Sequence, residues 1–201
     1  MYQRIEGFKQ YFFEAINGPK IIMIGGPGSG KSTYSELIKK ELNIAHIYTG
    51  DMMRALAKQD TPDGRKVKEL LSKGEFAPTP IVINAVKERM KQPDAQKGYV
   101  FDGFPRNVEQ AKAMEEKDIE YDYVIFLDVS EEEVVRRLTA RGRADDKPEI
   151  IKNRLKVFKR ETEPLLYYYK DDIINIKAEG GTPEEIAQTI IDKTQWKNMT
   201  T

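Results

Sequence analysis

Short runs of apolar residues alternate along this chain with longer stretches in which apolar positions recur every three or four residues. An unbroken apolar run marks a strand covered on both faces, and the longer period marks a helix with one buried side. Strands are predicted at 20–25, 45–48, 99–102, 123–127 and 172–176. Ile21-Ile22-Met23-Ile24 and Val124-Ile125-Phe126-Leu127 show no polar alternation, as buried strands should not. A helical stretch follows each strand, which predicts an α/β fold with a parallel sheet. Helix starts are signalled by Ser130 with Glu133, which reads as a capping box, and by Thr182-Pro183-Glu184-Glu185.

One interval breaks the rhythm. Between the second and third strands lie about fifty residues that read as several helices and no strand, with starts at Thr61-Pro62 and Thr79-Pro80. A simple crossover needs far fewer, so a helical insertion standing off the sheet is expected. Ahead of the first strand, residues 1–19 place Ile5, Phe8, Phe12 and Ile16 on one helical face, with Arg4, Glu6, Lys9 and Glu14 around them. A short helix docked on the protein's own body is the expectation. The balanced charge weakens a membrane-surface reading.

Composition removes whole classes of function. Lys plus Arg and Asp plus Glu both number 33, so bulk charge gives no hold on nucleic acid. The absence of cysteine excludes disulfides, thiolate nucleophiles and cysteine-bound zinc, and His46, the only histidine, excludes histidine-rich metal sites and most triad chemistry. No apolar run approaches a membrane span, and the first twenty residues lack a signal peptide's apolar core. A cytoplasmic location without membrane partners is therefore expected.

Gly25-Gly26-Pro27-Gly28-Ser29-Gly30-Lys31-Ser32 is a complete Walker A phosphate loop, set between a buried strand and a helix as the pattern requires. Its glycines let successive N–H groups turn toward phosphate oxygens, and the helix that follows adds the positive end of its dipole. Lys31 brings a charge for the β- and γ-phosphates, and Ser32 a hydroxyl suited to magnesium. Such a loop announces a nucleotide but leaves the reaction open.

Further motifs narrow the choice. Thr49-Gly50-Asp51-Met52-Met53-Arg54 follows the second strand and Phe101-Asp102-Gly103-Phe104-Pro105-Arg106 closes the third. Arg141-Gly142-Arg143-Ala144-Asp145-Asp146 follows the helix after the fourth, with Arg154 on the next. Joining two polyphosphates in one dry cleft requires many charges to be neutralised, and arginine suits this because it stays charged and holds phosphate bidentately. Arg137 and Arg141, four apart on one helix, can face the same site, whereas Arg136 and Arg160 read as surface charges.

In this order and spacing, from about residue 20 to the last helix, the chain resembles the adenylate kinase family of nucleoside monophosphate kinases, in its short-lid form. The resemblance implies one P-loop-type domain over 20–201: a five-stranded parallel sheet with helices on both faces, an acceptor-binding insertion at 48–77 and a lid at about 141–148. It implies reversible transfer between ATP and AMP to give ADP, with magnesium carried by ATP. Lys31, Asp102, Arg106, Arg141, Arg143 and Arg154 would be the catalytic set. Gly28, Ser29, Gly30, Lys31, Ser32, Thr33, Arg137, Arg141 and Gly180 would hold ATP. Thr49, Arg54, Glu75, Phe76, Ala77, Gly103, Phe104, Pro105, Arg106, Gln110, Arg143 and Arg154 would hold AMP, with Thr49 and Gln110 at the base. Asp102 would organise magnesium through water, Asp145 and Asp146 would support the lid, and a monomer is expected. Asp128 is a rival to Asp102, although a helix-start acid beside Ser130 suits it better.

The chain also departs from the family pattern. Ser32-Thr33 stand where glycine and threonine are usual, and Gly74-Glu75-Phe76-Ala77-Pro78 matches the acceptor hinge loosely, with alanine where valine is common. UMP or CMP as acceptor, or a non-catalytic nucleotide-binding regulator, are the rival readings, and an asparagine three residues before Gln110 leaves plain helix capping open for that residue.

Overall fold

The computed structural model describes residues 18–142 and 148–194. Five strands, β1 (Lys20–Gly25), β2 (Ala45–Tyr48), β3 (Tyr99–Asp102), β4 (Tyr123–Asp128) and β5 (Ile173–Lys177), form one parallel sheet in the order β2-β3-β1-β4-β5. β1 to β3 match the predicted limits, whereas β4 runs one residue longer and β5 is shifted one residue on. Asp128 pairs with Lys177 at the shared end of these two strands and is exposed, away from any acid role in a cleft.

The unbroken apolar strands serve two cores. Ile22 and Ile24 of β1 point to one face with Phe101 and Val124, while Ile21 and Met23 point to the other with Val100, Ile125 and Leu127. The period of two thus splits one hydrophobic run between opposite sides of the sheet. α1 (Lys31–Leu42) and, at the chain's end, α9 (Pro183–Lys193) cover the second face through Tyr34, Ile38, Ile186, Ile190 and Ile191. Ile38 is fully buried, a placement that contributes about 1.5–3 kcal/mol of apolar transfer.

Three helices, α2 (Thr49–Leu56), α3 (Pro62–Ser72) and α4 (Thr79–Met90), and a 3-10 turn at Pro93–Lys97 fill the interval between β2 and β3 without a strand. With α5 (Val108–Glu115) they close the first face, where Val82, Ile83, Val86, Ala111 and Met114 pack against the sheet. α6 (Glu131–Arg141) leads toward residues 143–147, which lie outside the described residues, as do residues 1–17 with the helix expected there. α7 (Pro148–Val157) then passes through a π-helical turn at Phe158–Thr162 into α8 (Pro164–Tyr168). Among the described residues no helix is long and apolar enough to cross a membrane.

One helix-start expectation needs correction. Ser130 accepts from the Glu133 N–H, but the Glu133 carboxylate does not return the bond, because Arg136 and Arg137 hold it. Glu179 accepts from the Ser130 N–H instead. A charge-assisted bond to guanidinium outcompetes a neutral backbone donor. At α4 the helix begins at Thr79, as expected, with Pro78 as its cap. Thr182 and Glu185 do form the full reciprocal box, and Thr61 caps α3 as expected.

Ser35, on α1, is fully buried and its hydroxyl has no partner among the described residues. An unpaired buried hydroxyl carries a desolvation cost, and alanine is the better helix former. Ser35→Ala is therefore expected to raise unfolding stability by about 1 kcal/mol, read from urea midpoints at constant m. A destabilised variant would mean that the hydroxyl is satisfied.

Candidate active site

The helix after β1 lies on one face of the sheet and the helix after β3 on the other, so the chain diverges between these adjacent strands. Such a switch point opens a crevice beyond the strands' carboxyl ends. A cleft of about 830 Å³ lies there, lined at once by the loop after β1, the end of β3, the α2–α4 segment, α6 and α7.

The loop is built to face an anion. Gly28 has φ 82°, and a Cβ there would stand 2.9 Å from Leu138 Cγ, so only glycine fits. Gly30 caps α1 with no side-chain hydrogen bond and no acid in the first turn, which leaves the helix's leading N–H groups to a ligand. Lys31 Nζ folds back onto the loop, donating to the carbonyls of Gly25 at 2.7 Å and Gly26 at 2.8 Å. Burial draws this ammonium down to about 8; Asp102 opposes the shift, while Arg106, Arg154 and Arg141 add to it. Four cationic side chains thus converge on one enclosure before any phosphate enters.

Asp102 is 1% exposed at the end of β3. Burial alone would raise its carboxyl pKa, but the His46 hydrogen bond, the Lys31 charge and the Ser32 hydroxyl together bring it below the ordinary value. His46 bridges it to the surface, with Nε2 3.2 Å from Asp102 Oδ2 and Nδ1 3.0 Å from Glu36 Oε2. Burial works against a charged imidazole here, yet the two carboxylates outweigh it and raise its pKa.

Arg106 is held by its own turn, with Nε donating to the Gly103 carbonyl at 2.8 Å. Thr162, in the π turn, donates to the Arg106 carbonyl at 2.7 Å, so the irregular helix fixes this corner of the cleft. Arg54 lies over the Tyr48 ring at 5.1 Å and donates to Asp51. The Thr49 hydroxyl donates to the Gly103 carbonyl at 2.7 Å, which ties the start of α2 to the turn after β3. Gln110 is 1% exposed, and its side-chain oxygen accepts from the Arg106 N–H at 2.8 Å, while Asn107 caps the helix through the Gln110 backbone N–H. Its side-chain amide nitrogen is not used in these bonds, and Gln110 lines the cleft. Opposite, Arg137 spans three elements, donating to Glu133 at 2.6 Å, to the Ala178 carbonyl at 2.8 Å and to the Ser29 carbonyl at 3.4 Å.

Two separated ends therefore share one charged centre. A model of the adenylate kinase family matches residues 23–174, three-quarters of the chain. The chain belongs to the adenylate kinase family. The protein named adenylate kinase from Corynebacterium urealyticum is 42% identical over 176 residues, which is 86% of this chain and 97% of that protein. The adenylate kinase of Corynebacterium aurimucosum is 44% identical over 83% of this chain and 94% of its own length, and that of Leptospira biflexa 41% identical over 86% and 97%.

Most of the residues expected from the adenylate kinase resemblance line the cleft: Gly28, Gly30, Lys31, Ser32, Thr33, Arg137 and Arg141 toward the loop. Thr49, Arg54, Glu75, Phe76, Ala77, Asp102, Gly103, Pro105, Arg106, Gln110 and Arg154 line the rest. Three do not. Ser29 is buried beneath the loop with its hydroxyl toward Lys31 Nζ, Phe104 is fully buried edge-on to Phe101, and Gly180 lies off the cleft in the loop whose Ala178 binds Arg137. Arg143, Asp145 and Asp146 lie outside the described residues. Arg136 and Arg160 are surface residues paired with glutamates, as expected. Met53, Val82, Leu138, Phe158 and Thr162 line the cleft without having been singled out, as does Tyr48 beside Arg54. All but Tyr48 sit mid-helix, where an apolar or small polar residue carries no local sign of facing a ligand.

The His46 bridge has a definite pH signature. Its pKa is raised above the ordinary 6.5, so its stabilising contribution is complete below that value and fades as pH climbs through the raised one. Glu36 and Asp102 are lowered, so their contributions persist until strongly acid pH. His46→Gln should therefore cost about 1–2 kcal/mol at pH 6 and distinctly less at pH 9. Urea unfolding of both proteins at the two pH values checks this, and an equal cost at both would show that the imidazole is not charged.

Proposed function

We propose that this protein transfers the terminal phosphoryl group of ATP to AMP, reversibly, giving two molecules of ADP. The observation that carries the proposal is the single cleft in which Lys31, Arg106, Arg141 and Arg154 surround one point between two differently built ends. The relatives' name, adenylate kinase, supports the same reaction.

In this reading the loop N–H groups and Lys31 bind the ATP phosphates, and Arg137 lies against its adenine. Arg54 and Arg106 take the AMP phosphate. Thr49 and Gln110 face the acceptor base, where the free Gln110 amide donates to a ring nitrogen while its oxygen stays on the Arg106 N–H. Thr49 has spent its proton on Gly103 and so acts there only as an acceptor. Arg141, Arg154 and Arg143 gather round the transferring group, and direct in-line attack needs no protein nucleophile. The 48–77 segment and a short lid at about 141–148, supported by Asp145 and Asp146, close to keep water from intercepting the phosphoryl group. Gly180 borders ATP only through its loop, the protein acts as a monomer, and a cytoplasmic setting supplies the nucleotides.

Magnesium fits the donor set. Asp102 keeps its charge and takes a hydrogen bond from the Ser32 hydroxyl, and both are hard oxygen donors. Asp102 would hold the ion through water and Ser32 through its hydroxyl. Bound, the ion would neutralise charge on the phosphate oxygens.

A coupled assay with ATP and each of AMP, UMP and CMP tests the acceptor, with AMP expected to be strongly preferred. Gln110→Ala should raise the KM for AMP by about 5- to 150-fold, the equivalent of 1–3 kcal/mol, while leaving that for ATP nearly unchanged. Because the same variant loses the bond to Arg106, its thermal midpoint should fall too. A lower midpoint with unaltered AMP kinetics would limit Gln110 to a structural role, and no turnover with any monophosphate would leave a nucleotide-binding regulator.

A further inference from the structure

Two arginines of the cleft lie over aromatic rings. Arg54 is 5.1 Å from the centre of the Tyr48 ring, and Arg106 is 5.1 Å from that of Phe76. In the proposed reaction these two arginines take the AMP phosphate, and the inference drawn here rests on that assignment. A ring against the flat face of a guanidinium attracts its charge without occupying the N–H donors at its edge. Such a contact orients an arginine and still leaves donors for an anion.

Tyr48 is a cleft residue rather than a core one. It is half-buried, lines the cleft and belongs to none of the hydrophobic clusters, unlike Tyr34, Tyr99 and Tyr169. Its ring is nevertheless firmly seated. His46 stacks beside it, with ring centroids 5.8 Å apart and planes 13° apart. Gly50 lies against the phenol end, where a Cβ would stand 2.5 Å from Tyr48 Cε2 and 2.9 Å from its hydroxyl oxygen. The first turn of α2 therefore makes room for this ring only because residue 50 is glycine.

Arg54 needs such a guide. Its ionic partner Asp51, three residues earlier, is 71% exposed, and an exposed pair of this kind holds a long side chain weakly. Burial works against the Arg54 charge, but its hydrogen bonds to the Tyr48 hydroxyl and to Asp51 outweigh that and raise its pKa. For Arg106 burial lowers the pKa, and Tyr48 heads the groups that oppose the shift. One phenol thus stands near both arginines.

We infer that Tyr48 is a positioning residue of the acceptor half of the cleft, its ring and hydroxyl holding the Arg54 guanidinium where the phosphate of the incoming nucleoside monophosphate arrives. Tyr48 acts through Arg54 and does not itself bind the acceptor.

The test compares the unaltered chain with Tyr48→Phe, Tyr48→Leu, Arg54→Ala and the double variant Tyr48→Leu/Arg54→Ala. Initial rates are measured with ATP and AMP, and calorimetry with AMP or ATP alone reports binding without turnover. Tyr48→Leu should raise the KM and Kd for AMP about 5- to 10-fold and leave those for ATP within about twofold. Tyr48→Phe, which keeps the ring, should shift AMP less than Tyr48→Leu does. In the Arg54→Ala background Tyr48→Leu should add less than about twofold, because nothing remains to be positioned. Unchanged AMP affinity in Tyr48→Leu, beside a clear loss in Arg54→Ala, would overturn the proposal. An undiminished effect of Tyr48→Leu without Arg54 would also overturn it, by placing the tyrosine on the acceptor itself. Equal weakening of ATP and AMP would reduce Tyr48 to a structural role and overturn it as well. Failure of the underlying reaction shows separately, as an unaltered chain with no AMP-dependent turnover, and would take this inference with it.

Discussion

Like charges crowded into a partly dry cleft are the constraint on which the rest of this structure depends. Lys31, Arg106, Arg141 and Arg154 repel one another, and burial draws the Lys31 ammonium down to about 8. Nothing in that arrangement favours the folded chain by itself. It persists because Asp102 offsets part of the repulsion and because the surrounding elements over-determine the geometry. Arg106 is tied by its side chain to Gly103 and by its carbonyl to Thr162, and Arg137 by Glu133, Ala178 and Ser29. In the proposed reaction an incoming polyphosphate would relieve this repulsion, so binding and preorganisation would be two sides of one electrostatic arrangement.

The sheet topology explains where that arrangement can exist. β1 and β3 are neighbours, yet their following helices leave to opposite faces, and only between them does the sheet open a crevice. One strand end supplies the phosphate loop and the other supplies Asp102. His46, on β2, reaches across β3's end to hold that carboxylate and passes the link on to Glu36 on α1. Fold and site are therefore coupled through three adjacent strands and one helix.

Much of this was legible in the residues because the deciding signals are local. β1 announced itself by an apolar run, and Thr182-Pro183-Glu184-Glu185 by a capping pattern whose partners sit within four positions. The phosphate loop needed only its glycines and lysine. Signals failed where distant residues compete. Glu133 had the right spacing to close a box with Ser130, but guanidinium groups on its own helix claim it and Glu179 takes its place. Phe104 shares a motif with cleft residues yet turns into the core, and Phe158 and Leu138 reach the cleft through a π turn and a helix face that no local pattern marks. Tyr48 stands immediately before Thr49, but its place under Arg54 depends on how α2 leaves the sheet.

The central claim is that one cleft holds two nucleotides, phosphate end to phosphate end. Calorimetric titration with two adenosines joined by five phosphates tests it most directly, with ATP and AMP titrated alone for comparison. A ligand that fills both ends at once should bind at one per chain and about 10²- to 10⁴-fold more tightly than either nucleotide. Affinity no better than that of ATP would mean that a single nucleotide site exhausts the cleft, and would contradict the account.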